Sequence, residues 1–192
     1  MNKKDCKMKK YLSTIVLISL IFVRCTDPIS VNNPVEISKD KVTWLTINNE
    51  GGLSIEGTRT WSKFINGSNG GFFYGTKSLS SSVSAYVEIW VPAGAFNGYK
   101  TISATLSSAS VYADFAPTPM TFNTPIFYTV EYFGVDLSGI DPTNVDFYYI
   151  DGSGNMVKAE YSEIYVENGW LCVVDAQLSH FSRYGFVNKT DE

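Results

Sequence analysis

The stretch "VSAYVEIWV", residues 83–91, alternates without a slip. Val83, Ala85, Val87, Ile89 and Val91 point one way, and Ser84, Tyr86, Glu88 and Trp90 the other. An apolar period of two is a strand with one dry face; a helix would repeat every three to four residues. The pattern returns at short intervals. "KVTWLTI" runs into the turn-forming "NNEGG", and "PAGAFNG" ends the 83–91 strand with a proline and two glycines. "YKTISATL" resumes with Ile102, Ala104 and Leu106 on one face. "PIFYTVEYFGV" sets Ile126, Tyr128, Val130 and Tyr132 against Phe127, Thr129 and Glu131. "NVDFYYI" and "NMVKAEY" flank "DGSG", whose Asp-Gly suits the positive φ of a tight hairpin. "EIYVENGWLCVVDA" repeats the device with "ENG", and "LSHFSRYGFV" closes the series. No segment carries a helical period. Seven to nine strands joined by tight turns imply an all-β chain folded as an antiparallel β-sandwich.

The first 24 residues stand apart. "MNKKDCKMKK" is basic and "YLSTIVLISLIFV" is an apolar run of 13 residues. That run is too short for a membrane-spanning helix and suits the hydrophobic part of a secretory signal. Met8 would serve equally well as the start. The run ends in Arg24-Cys25, which resembles a bacterial lipoprotein signal, in which the cysteine is acylated and becomes the new N-terminus. Arg24 departs from that pattern, which favours a small residue there. An uncleaved anchor and ordinary secretion are the other readings. The expected organisation is a signal over 1–24, a polar Pro- and Asn-bearing tether over 25–42 and one sandwich over 43–192. The expected place is the cell envelope, facing the periplasm or the exterior, with the lipid on Cys25 holding the chain to a membrane.

Removing the signal changes the charge. Residues 1–24 hold six Lys/Arg and one Asp, so fifteen basic residues fall to nine and nineteen acidic ones to eighteen. The remainder is near −9, which argues against nucleic acid, whose phosphates need basic neutralisation, and against an electrostatic grip on anionic lipid. Of the three cysteines, Cys6 lies in the signal and Cys25 is the acylation candidate. Cys172 then has no intramolecular partner in the mature chain and reads as a small buried hydrophobe. No metal site is expected. "DGSGN" offers Asp151, Ser153 and Asn155 at alternate positions, but Met156 stands where a calcium loop needs glycine and Ser162 where it needs a bidentate Glu. Asp136, Asp141 and Asp146 are expected at solvated loop ends.

Four segments together resemble the ZU-five domain, the β-sandwich shared by zonula-occludens protein, netrin receptors and ankyrins. They are "INGSNGG", with Gly70-Gly71 opening the domain; "VEIWVPAGAF"; "MTFNTPIFYTVEY", with Phe122 to Pro125 entering a strand; and "LSHFSRYGF". The resemblance covers about residues 60–187. Pro92 ends ladder pairing, Gly94 permits a sharp turn, and Ala95 and Phe96 are placed to pack inward.

The resemblance also implies a chemistry. Some ZU-five members cut themselves between Phe and Ser of a His-Phe-Ser sequence, and the halves stay associated. Here Ser182 Oγ would attack the Phe181 carbonyl carbon, with His180 as base and a strained Phe181–Ser182 peptide lowering the barrier. On a regular strand, however, His180 and Ser182 would lie roughly 7 Å apart, too far for direct proton transfer. The opposing reading is a closing strand with Phe181 in the core and His180 and Arg183 among polar neighbours.

The leading expectation of function is therefore a lipid-anchored, non-enzymatic module with no cofactor, binding or scaffolding a protein. Self-cleavage at His180-Phe181-Ser182 is the second reading. The third is carbohydrate binding by outward aromatics such as Tyr86 and Trp90, with a glycan as partner. A conventional hydrolase is weakest: any Ser-His-Asp triad must use His180, the sole histidine, and no Gly-x-Ser-x-Gly turn is present.

Overall fold

The computed structural model describes residues 42–46, 57–107 and 109–189, all within a compact unit spanning Val35–Glu192. The expected signal, Cys25 and nearly all of the expected tether lie outside the described residues. Twelve strands occur in chain order: β1 (Val42–Trp44), β2 (Thr58–Asn66), β3 (Gly71–Ser78), β4 (Ser84–Val91), β5 (Tyr99–Ser107), β6 (Tyr112–Ala116), β7 (Thr121–Phe133), β8 (Val145–Ile150), β9 (Met156–Lys158), β10 (Glu163–Glu167), β11 (Trp170–His180) and β12 (Arg183–Lys189). One 3-10 turn, Pro142–Asn144, precedes β8. The count exceeds the expected seven to nine. The strands not foreseen are β2, β3 and β6: β6 is only five residues long, β2 buries two of its nine and β3 buries none, so alternation does not show there.

Every pairing is antiparallel, as expected of the sandwich. One sheet runs β2-β5-β6-β12-β8-β9 with β1 also on β12, and the other runs β10-β11-β7-β4-β3. The core lies between them. Val83, Ala85, Val87, Ile89 and Val91 from around β4 meet Ile102, Ala104 and Leu106 from β5 and Ile126, Tyr128, Val130 and Tyr132 from β7, each essentially fully buried. These are the inward positions that the alternation assigns. The turns follow their chemistry too. Asp151 Oδ1 accepts from the Ser153 and Asn155 amides and so cages the β8–β9 turn. Asn168-Gly169 is a two-residue loop between β10 and β11, with Gly169 at φ +82°.

The glycine-rich segments belong together. Gly94 N–H donates to Gly67 O, and Gly67 N–H donates to Gly98 O, each at 2.8 Å. A Cβ on Gly70, already at φ +70°, would stand 2.4 Å from Val91 O. The β2–β3 turn therefore sits against the "PAGAFNG" loop, and Ala95 and Phe96 pack into the core beneath it. Pro125 differs from expectation: it lies inside β7, four residues past its start. It is tolerated there because β4 pairing begins only at Phe127 and the β11 register slips between Leu178 and His180, so few ladder bonds are lost. A second slip, between Val173 and Ala176, holds Asp175 at φ +51° with its N–H donating to Thr129 Oγ1.

Candidate functional site

"LSHFSRYGF" does not form one strand. β11 ends at His180 in the five-stranded sheet and β12 begins at Arg183 in the other, so Phe181 and Ser182 are the corner where the chain changes sheets. An apolar ring at such a corner fills the end of the sandwich. Phe181 is buried, stacks on Phe115 (centroids 5.6 Å apart) and meets Phe122 edge-on at 4.7 Å. Its main chain is clamped by the β6–β7 loop: Phe181 N–H donates to Met120 O at 2.8 Å, and Thr118 Oγ1 donates to Phe181 O at 3.2 Å. Tyr184, fully buried, donates its hydroxyl back to His180 O at 2.9 Å, tying the two sides of the bend. That burial pushes the Tyr184 phenol well above its ordinary range.

The side chains proposed for self-cleavage are occupied elsewhere. The His180 ring stands edge-on to Tyr149 at 4.9 Å. Ser182 Oγ donates to Arg183 O at 3.4 Å. Arg183 pairs with Asp114 through both carboxylate oxygens, 2.8 and 3.0 Å, and lies over the Tyr112 ring. Asp175 is the only non-glycine in the left-handed region among the described residues, so neither Phe181 nor Ser182 adopts a positive φ. One contact falls on the Phe181–Ser182 peptide: the Thr118 hydroxyl, which the sequence reading missed, donates to the Phe181 carbonyl.

One expectation needs correction. Asp146 is not a solvated loop end. It is 3% exposed and receives Lys158 Nζ at 2.9 Å, Lys189 Nζ at 3.2 Å and the Tyr161 hydroxyl at 2.7 Å. Its burial follows from strand pairing, which sets β8 beside β9 and β12 and so delivers both lysines. Cys172 is fully buried, as expected of a small apolar side chain. Asp136 is half-buried and Asp141 exposed, and they accept the amides of Ser138 and Thr143. Those bonds hold both carboxyls below the ordinary range. Among the described residues no cluster of three or more His, Cys, Asp or Glu could hold a metal, and no helix is long and apolar enough to cross a membrane.

The outer face of the five-stranded sheet carries the other candidate. Register places Phe72 of β3, Trp90 of β4, Phe127 of β7 and Gln177 of β11 in one row across the strands. Trp90 is 50% exposed and stacks on Phe127, centroids 5.0 Å apart. Phe72 is exposed and packs on Tyr74 at 5.1 Å. Tyr86 is half-buried and turns its hydroxyl to Glu88 at 2.7 Å. Trp90 is thus outward as expected, while Phe72 and Gln177 were missed. "GFFYGTKS" does hold Phe72 and Tyr74 at alternate positions, but only strand pairing aligns them with Trp90.

Fold and surface define a class, the two-sheet antiparallel β-sandwich with an aromatic outer face. Comparison of the chain with protein-family models, with curated proteins and with solved structures gave no match.

Proposed function

We propose that the chain is a non-enzymatic binding module of the cell envelope, held to a membrane by a lipid on Cys25 and presenting the outer face of its five-stranded sheet to a partner. The observation that supports this most is the corner itself. His180, Phe181 and Ser182 make the contacts that turn the chain between sheets, so the sequence most suggestive of chemistry has a sufficient architectural reason to exist. The ZU-five-like arrangement of Gly70-Gly71, "PAGAF" and the corner fits the same reading. The anchor is tested with the full chain and its Cys25→Ser variant, grown with labelled palmitate. The parent takes up label and enters the detergent phase; the variant does neither. A variant that stays lipidated or detergent-bound overturns the anchor.

Self-cleavage is the second reading, favoured by the Thr118 hydroxyl on the Phe181 carbonyl. Intact masses of the full chain and of Ser182→Ala, taken after denaturation, separate the two. A single uncut C-terminus in both supports the binding module. Loss of residues 182–192 from the parent alone replaces it with a self-cleaving one.

A further inference from the structure

The five large hydrophobic side chains exposed among the described residues are all aromatic: Phe64, Phe72, Tyr74, Trp90 and Tyr99. No exposed leucine, isoleucine, valine or methionine joins them, although protein-docking surfaces commonly mix aromatic rings with methionine and arginine. The two described arginines are engaged elsewhere, Arg59 on Ser78 O and Arg183 on Asp114. A second property narrows the partner. With the mature chain near −9, an anionic ligand would be repelled.

We infer that the row Phe72–Trp90–Phe127–Gln177 binds an uncharged glycan, with Trp90 as the principal stacking platform. The inference rests on the binding-module reading and names its ligand class. The apolar C–H face of a pyranose packs on an aromatic ring, and its hydroxyls need acceptors and donors at the ring's rim. Trp90 supplies the half-exposed ring, and Phe127, stacked against it, fixes its orientation and lowers the entropy lost on binding. The exposed amide of Gln177 ends the row and offers both a donor and an acceptor. At about 4.8 Å per strand, Phe72 to Gln177 spans roughly 14 Å, the length of a short oligosaccharide.

The test uses the full chain in mild detergent, run through native gels containing laminarin, xyloglucan or galactomannan and pelleted with cellulose or chitin. Trp90→Ala and Phe64→Ala run beside it; Phe64 is the more exposed of the two but lies on the other sheet. The expected result is retardation or pelleting of the parent by at least one neutral polysaccharide. Trp90→Ala should weaken it about tenfold or more and Phe64→Ala should leave it unchanged. Trp90 is surface-exposed, so the variant's thermal midpoint should match the parent and separate lost binding from lost fold. Absence of polysaccharide binding, or binding indifferent to Trp90→Ala, overturns the inference. Trp90-dependent capture of a protein with no glycan binding overturns the ligand class but leaves the binding module standing. Retention of neither ligand through this face removes both.

Discussion

A carboxylate taken out of water costs several kcal/mol unless donors and cations offset the loss, and Asp146 meets that condition from three strands and a loop. Burial pushes its carboxyl up. The hydrogen bonds from Tyr161, Lys158 and the Phe147 amide, with the Lys158 charge, more than compensate, so it titrates below the ordinary range. A folded-state value below the unfolded one stabilises the native state at pH above the unfolded value of about 3.9, and that stability is lost as pH falls through the folded value. Asp146→Asn should therefore lower stability at pH 7 by about 2 kcal/mol, at the modest end because both lysines are partly exposed and recover water. It should also flatten the fall in stability below pH 4. Denaturant titrations of parent and variant from pH 3 to 7 check both; a variant with the parent's acid slope would assign that slope to other carboxylates.

The edges of the two sheets show a different economy of contacts. β2 and β3 are edge strands of opposite sheets, and their side chains close the gap that no backbone ladder spans. Arg59 Nε donates to Ser78 O at 2.9 Å, Trp61 Nε1 to Gly75 O at 2.8 Å and Lys63 Nζ to Phe72 O at 3.0 Å, while Lys77 Nζ returns to Thr60 O. Free edge carbonyls invite pairing with another chain, and cationic side chains laid over them block it. Trp61→Phe keeps the buried ring but removes the indole donor, so it should cost about 1–2 kcal/mol in chemical denaturation. Lys63→Ala with Lys77→Ala should barely move the midpoint yet raise light scattering on heating; unchanged scattering would deny the lysines their guarding role. None of this was legible in the sequence, because β3 buries no residue and β2 buries only Trp61 and Ile65. β4, β5 and the inward side of β7 were legible because one dry face imposes a period of two. The β8–β9 and β10–β11 hairpins were legible because Asp-Gly and Asn-Gly dictate tight turns. In the site, Trp90 announced itself by alternation. The Thr118–Phe181 bond spans 63 residues, and the alignment of Phe72 with Trp90 depends on pairing register, so no local pattern carries either.

At the scale of the whole molecule, the corner at Phe181 decides what a cut there would do. β12 is interior to its sheet: β6 and β1 lie along one side of it and β8 along the other. It also supplies Tyr184, Phe186 and Val187, all fully buried. A chain severed after Phe181 would therefore hold residues 182–192 by three strand pairings and a share of the core, and would keep its shape until denatured. The converse is the sharper expectation. A chain truncated after Phe181 loses the strand joining β5-β6 to β8-β9, and with it the cohesion of the whole seven-stranded sheet. Unlike a trimmed terminus with few contacts, it should fail to fold, with no cooperative thermal transition and elution as aggregate in gel filtration. A truncated chain that melted cooperatively near the parent's midpoint would show that the five-stranded sheet stands alone. The corner would then be a dispensable appendage, and the architectural explanation of His180, Phe181 and Ser182 would lose its force.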